Sequence, residues 1–212
     1  RGRNTQSQLL HQGARPTGPS ADAAPSSAPE AGPSTRPLPT LVMTLALERP
    51  LTVGFLGPAG TYSQAAALKH FGQSAILRAQ PTIRDVFRLT EDRACDMAVV
   101  PVENSTEGMV GQTLDCFLES PLQIIGEVEL PVVHHLIAGR ATDLSDISVI
   151  CGHEQALGQC RDWLDSNLPG VPRDICRSNG EAAQRAQSEP GVAAIAGDLA
   201  VEHYELIKLA EA

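Results

Sequence analysis

Residues Val100 to Asp115 read VPVENSTEGMVGQTLD. An apolar run ends, and Glu103, Asn104, Ser105 and Thr106 follow at once: a carboxyl, an amide and two hydroxyls in successive positions. Glu103 can give or take a proton, Asn104 can hold a hydroxyl or a carboxylate, and the hydroxyls add donors; convergent groups of this kind make a small-molecule pocket. Two plainer uses compete. Asn104-Ser105-Thr106 is formally a glycosylation sequon, and Glu103 or Asn104 can cap the next helix. A second stretch, GFLGPAGTYSQAA, spaces Gly54, Gly57 and Gly60 as G-x-x-G-x-x-G with no Lys behind, which matches neither the dinucleotide fingerprint nor the phosphate loop. Its glycines still let backbone come close to a ligand, and the helix turn after Thr61 offers N–H groups and a positive dipole to an anion such as a carboxylate. The alternative is a tight strand-to-helix turn with Thr61 or Ser63 as its cap.

The elements that must position these groups follow from periodicity. From Leu51 onward short apolar runs alternate with amphipathic ones, the pattern of an α/β sheet. LTVGFLG, SAILRAQ and CDMAVVPV read as strands, with helices TYSQAAALKHFG and TIRDVFRLTEDR between them, the second opened by Thr82. TLDCFLES reads as a short helix and LQIIGEVELPVVHHLIAG as one or two long strands. A second set follows: strand ISVICG, helix EQALGQCRDWLDSNL, strand PRDICRS, helix NGEAAQRAQSE, strand GVAAIAG, helix DLAVEHY and strand LIKLA. Two α/β lobes joined by long strands are implied. Ligands of open α/β sheets bind at the carboxyl ends of the strands, so the glycine turn and the Glu103 loop are expected to face one crevice. His134-His135 lies in an apolar strand context, where one reads as a satisfied core residue rather than a base, and His70 and His203 stand near helix ends.

Residues 1–50 differ: they hold eight of the 16 prolines and no apolar periodicity, so a disordered linker or tail is expected there. That segment is rich in Ser, Pro and Ala and poor in acids, as organellar transit peptides are, but shows no amphipathic pattern. The remainder carries 11 Lys and Arg against 22 Asp and Glu, a net of −11, which argues against nucleic-acid binding. The five cysteines are odd in number and never spaced C-x-x-C, so neither a zinc site nor a disulfide framework is expected. A reducing compartment fits. With no apolar run long enough to span a bilayer and no secretory-signal core, a soluble chain without a membrane partner is expected.

GFLGPAGTYSQAAALKHFG, VPVENSTEGMVGQTLD, GEVELPVVHHLIAG, HEQALGQCRDWL and NGEAAQRA with AAIAGDLAVEHYEL stand in the order and near the spacing found in prephenate dehydratases, which the chain resembles from Leu51 to its end. It looks most like the dehydratase part of bifunctional enzymes that also carry a chorismate mutase domain. The resemblance implies a two-lobed, type II periplasmic-binding-protein-like α/β fold of three-layer lobes (one about 51–130, the other about 131–212) with the active site in the cleft. It implies loss of water and carbon dioxide from prephenate to give phenylpyruvate, toward phenylalanine. It implies Glu103, Asn104 and Gln159 as catalytic residues, and Gly60, Thr61, Ser63, Ser105, Thr106, Gln155 and Ser178 as substrate contacts. No cofactor or metal is expected. A homodimer of the full-length protein and a cytoplasmic location are, with a plastid as the alternative location.

Gly152-His153-Glu154-Gln155 stands where the family usually has Ser-His-Pro-Gln. The family also continues to a Thr-Arg-Phe motif and a phenylalanine-binding regulatory domain, neither reached by Ala212, so the chain reads as a fragment. An arogenate dehydratase, a module that only binds a small carboxylate and a non-functional fragment are the alternatives. Losing one positioned donor at a developing charge costs on the order of 100- to 1000-fold in rate. The 212-residue chain is therefore expected to form phenylpyruvate slowly by about that factor beside the same chain extended through a Thr-Arg-Phe segment. Robust turnover by the short chain would overturn the expectation.

Overall fold

The structure, a computed structural model, describes residues 4–12, 49–105, 108–140 and 142–211, with backbone alone for 4–12. Two sheets form two lobes. The first has the order β3-β2-β4-β1-β6, from β1 (Asn4–Gln12), β2 (Thr52–Leu56), β3 (Ile76–Gln80), β4 (Met97–Asn104) and β6 (Gln123–Val132), with β5 (Gly108–Met109) paired to β4. The second has the order β11-β7-β10-β8-β9, from β7 (His135–Ala138), β8 (Val149–His153), β9 (Arg173–Cys176), β10 (Val192–Ala196) and β11 (Ile207–Glu211). The chain passes from one sheet to the other at Val133 and His134, between β6 and β7.

Each sheet is covered on both faces, which is why strands such as β4 and β10 carry apolar residues on both sides. β10, VAAIA, is buried throughout: Val192, Ala194 and Ala196 belong to one apolar cluster and Ala193 and Ile195 to another, as the two-residue period of a strand requires. The first cluster includes Ala182, Ala183 and Ala186 of α6 (Asn179–Ser188) and Ala200 of α7 (Asp198–His203). The second includes Ala156 and Leu157 of α4 (Glu154–Gln159) and Leu164 of α5 (Arg161–Asn167). In the first lobe, α1 (Tyr62–Phe71) buries Ala66 and Ala67 against Val53, Val99 and Val128. α2 (Ile83–Glu91) and α3 (Gly111–Glu119) cover the other face with Val86, Phe87 and Cys116, and Phe87 meets Phe117 edge-on at 5.4 Å.

Two expectations change. EQALGQCRDWLDSNL is two helices: Cys160, with ψ near 3°, closes α4 and opens α5, and Gly158 just before it lowers helix propensity. Residues 1–50 are not wholly without regular structure, because Asn4–Gln12 is a strand antiparallel to both β4 and β6. The facing edges of β4 and β6 carry rows of N–H and C=O groups that need partners, and a nine-residue stretch with no Gly or Pro supplies them through its main chain. The rest of the expected tail, but for Arg49 and Pro50, lies outside the described residues. The five cysteines are free thiols. Among the described residues no helix is long and apolar enough to cross a membrane.

Ile195 is 2% exposed and fills the space between β10 and α4. Ile195→Ala should lower the unfolding free energy by about 2–5 kcal/mol, read as a shifted denaturant midpoint at unchanged slope.

Candidate active site

The two lobes meet around the Gly57–Thr61 turn. Gly180, on the first turn of α6, faces it so closely that a Cβ there would lie 2.7 Å from the Ala59 carbonyl oxygen. At Gly197, just before α7, a Cβ would lie 2.8 Å from the Tyr62 ring. Tyr204 Oη adds a hydrogen bond, donating to the Ala59 carbonyl at 3.1 Å. Glycine at 180 and 197 is thus a condition of lobe contact.

Between the lobes, where β2 and β3 end on one side and β8 and β9 end on the other, lies a cavity of about 520 Å³. That size suits a small organic ligand. Ser63, itself 6% exposed, lines it from α1. Thr61 caps α1 by accepting from the Gln64 N–H at 3.4 Å, and its hydroxyl donates toward the Leu56 and Pro58 carbonyls at 3.1 and 3.0 Å. From the other lobe, Ser178 caps α6, accepting from the Glu181 N–H at 3.0 Å, and Gln155 comes from α4. The Gln155 side-chain nitrogen is buried in this wall without a hydrogen-bond partner among the described residues. α1 and α6, ten residues each, therefore direct their N-terminal ends at one cavity from opposite lobes.

Of the residues expected at the site, Thr61, Ser63, Gln155 and Ser178 line this cavity. Gly60 lines a neighbouring one of about 260 Å³, which shares Thr61 and Tyr62 with the first. Glu103 and Asn104 end β4, which runs parallel to β2, so they stand at the end of the sheet where the cavity opens but outside its lining. Ser105 follows in a turn, and Thr106 lies outside the described residues. Glu103 and Asn104 do not cap α3: its N-cap is Val110 without a side-chain bond, and Thr113 ties the helix to β4 by donating to the Pro101 carbonyl at 2.6 Å. Gln159 Oε1 lies 2.8 Å from His134 Nε2.

Sequence reasoning missed several wall residues, Arg177, Asn179 and Tyr62 among them. Arg177 is the one Lys or Arg lining the cavity among the described residues, held by Glu181, whose carboxylate accepts from Arg177 Nη2 at 2.9 Å and from its backbone N–H at 2.8 Å. Asn179 accepts from the His153 N–H at 2.9 Å, fixing the end of β8 to α6. Tyr62 touches both cavities. Their signal was adjacency to Ser178 and Thr61. Gly152 has a local reason: a Cβ there would lie 3.0 Å from Leu157 Cγ.

A family model described as prephenate dehydratase matches residues 53–212. The bifunctional chorismate mutase/prephenate dehydratase of Stutzerimonas stutzeri is 54% identical over 167 residues, 79% of this chain and 46% of that protein. The prephenate dehydratase of Bacillus subtilis is 35% identical over 161 residues, 74% of this chain and 56% of that protein. The chain thus spans about half the length of the curated relatives it matches. Among solved structures, prephenate dehydratase from Arthrobacter aurescens in complex with L-Phe aligns with TM-score 0.70 at 34% identity, over 76% of this chain and 55% of that one. The enzyme from Staphylococcus aureus aligns with TM-score 0.64 at 25% identity, over 76% and 60%. The fold is the two-lobed, type II periplasmic-binding-protein-like one.

Gly180→Ala should push the Ala59 carbonyl away and loosen the lobe contact, at about 1–3 kcal/mol of unfolding free energy. A midpoint equal to wild type would show that the contact is dispensable.

Proposed function

The chain belongs to the prephenate dehydratase family, and from that premise we propose that its inter-lobe cavity binds prephenate for conversion to phenylpyruvate. In that reaction the ring hydroxyl leaves as water after taking a proton, the ring carboxylate leaves as carbon dioxide, and the electrons of the broken carbon–carbon bond complete the aromatic ring. Aromatisation drives the step, so the protein needs chiefly a proton for the departing oxygen and a firm hold on two carboxylates.

The observation that carries this reading is the buried Gln155 nitrogen, a donor without a partner in the wall of a ligand-sized cavity. A buried N–H without an acceptor costs about 1–3 kcal/mol, which an oxygen of a bound ligand recovers. The N-terminal ends of α1 and α6 and the Arg177 guanidinium add attraction for anions from both sides. These local donors act at contact distance, whereas the acidic surface is screened over about 8 Å in physiological salt. Glu103 is the proton donor in this reading, with Asn104 and Gln159 orienting the substrate, and Gly60, Thr61, Ser63, Ser105, Thr106 and Ser178 shaping its seat.

Five free cysteines suit the reducing cytoplasm. A homodimer belongs to the same reading through the family resemblance, and sedimentation tests it.

Titration calorimetry with prephenate should show saturable binding by the wild-type chain, weakened about tenfold in Gln155→Ala and in Asn104→Ala, as the loss of one charge-assisted hydrogen bond implies. Wild type and both variants binding alike would put the pocket elsewhere, and no binding by any would remove the reading.

A further inference from the structure

His153 stands where β8 ends and α4 begins, and it lines the inter-lobe cavity together with Gln155. Its backbone N–H donates to the Asn179 side-chain oxygen at 2.9 Å, which holds the end of β8 against α6. On the ring, Nδ1 caps α4 by accepting from the Gln155 backbone N–H at 3.4 Å. The ring is therefore placed by two elements. Nε2 makes no hydrogen bond among the described residues and is not shut away from solvent, so it is open on the side where the residue lines the cavity.

Donor and acceptor parity decides what Nε2 can do. A backbone N–H only donates, so Nδ1 must offer it a lone pair and cannot carry a proton while it caps the helix. The neutral ring then has its proton on Nε2. That nitrogen is a donor without a protein acceptor among the described residues, as is the buried Gln155 side-chain nitrogen in the same wall. The contact that starts α4 thus also fixes the tautomer that the cavity meets.

We propose that His153 is a ligand-binding residue of the cavity: with Nδ1 committed to the helix cap, its Nε2–H donates to a carboxylate oxygen of the bound molecule from the same wall as the Gln155 NH2. The proposal deepens the reading of the cavity as a prephenate site and rests on it. A carboxylate has two oxygens and about four lone-pair sites, so it can take donors from both residues at once. A neutral imidazole serves this end by direction rather than charge, in a wall where Arg177 already supplies a cation. The competing use of the ring is the cap alone. The two uses belong to different nitrogens, which makes them separable by substitution.

Asparagine and glutamine part them, because their side-chain amides reach the places of Nδ1 and Nε2 respectively. His153→Asn keeps an oxygen for the cap and loses the cavity donor; it should unfold at the wild-type midpoint and bind prephenate about tenfold more weakly in titration calorimetry, as the loss of one hydrogen bond to a charged group implies. His153→Gln keeps an NH2 near the place of Nε2 and loses the cap; it should bind within a few-fold of wild type at a lowered unfolding midpoint. Equal affinities of the two variants, or the reverse order that a ring serving only as a cap would give, overturn the proposal. A second measurement needs no ligand. In wild type labelled with nitrogen-15 at histidine, two-bond proton couplings at mildly alkaline pH should place the His153 proton on Nε2, the signal being identified by its absence from either variant. A proton on Nδ1 overturns the proposal even if prephenate binds. No prephenate binding by wild type would remove the reading of the cavity and the proposal with it, an outcome distinct from wild-type binding that His153→Asn leaves intact.

Discussion

The close approach of the Gly57–Thr61 turn to the first turns of α6 and α7 is the constraint on which the cleft depends. Two helix N-termini act on the same anion only when they converge on one point, and those of α1 and α6 belong to different lobes. What brings them together is the absence of side chains at Gly180 and Gly197, which lets the Ala59 carbonyl and the Tyr62 ring sit against the second lobe. A methyl group at either place would intrude on a contact at the same end of the sheets as the cavity. Thr61 and Tyr62 of that contact line the cavity together with Gln155, and Tyr62 also meets His134.

The acidic character of the chain and the proposed anionic ligand are compatible because they act over different distances. Net charge is a property of the whole surface and is screened, while N–H groups and a single guanidinium work at hydrogen-bond range. Arg177 is placed for this by Glu181, which receives both its backbone N–H and its guanidinium. The pair is largely exposed, so its value lies in position rather than in stability.

Much of the fold was legible because strands and helices announce themselves by period. GVAAIAG read as a buried strand and lies between two helical layers, and Thr82 read as a cap and accepts from the Asp85 N–H at 3.1 Å. What could not be read is what depends on partners distant in sequence. β1 is held by main-chain pairing, to which composition is blind. Of His134-His135 one was expected to be a satisfied core residue without saying which; His135 is the buried one, while the partners of His134, Tyr62 and Gln159, lie 72 and 25 positions away. The site divides in the same way. Thr61, Ser63, Gln155 and Ser178 were named from motif resemblance and line the cavity, whereas Arg177 and Asn179 sit there because α6 begins beside β8.

The sheet orders also bear on how the chain assembles. The second lobe draws its strands from one continuous stretch, from His135 to Glu211. The first is completed by Asn4–Gln12, whose pairing with β6 joins residues as far apart as Asn4 and Val132. Ordering that strand closes a loop from Gln12 to Thr52, a closure whose entropic cost grows with the logarithm of the loop length. Contacts between near neighbours form faster than those between distant ones. The second lobe can therefore condense as a template while the first still exchanges strands, and the cleft takes shape only when the slower sheet closes.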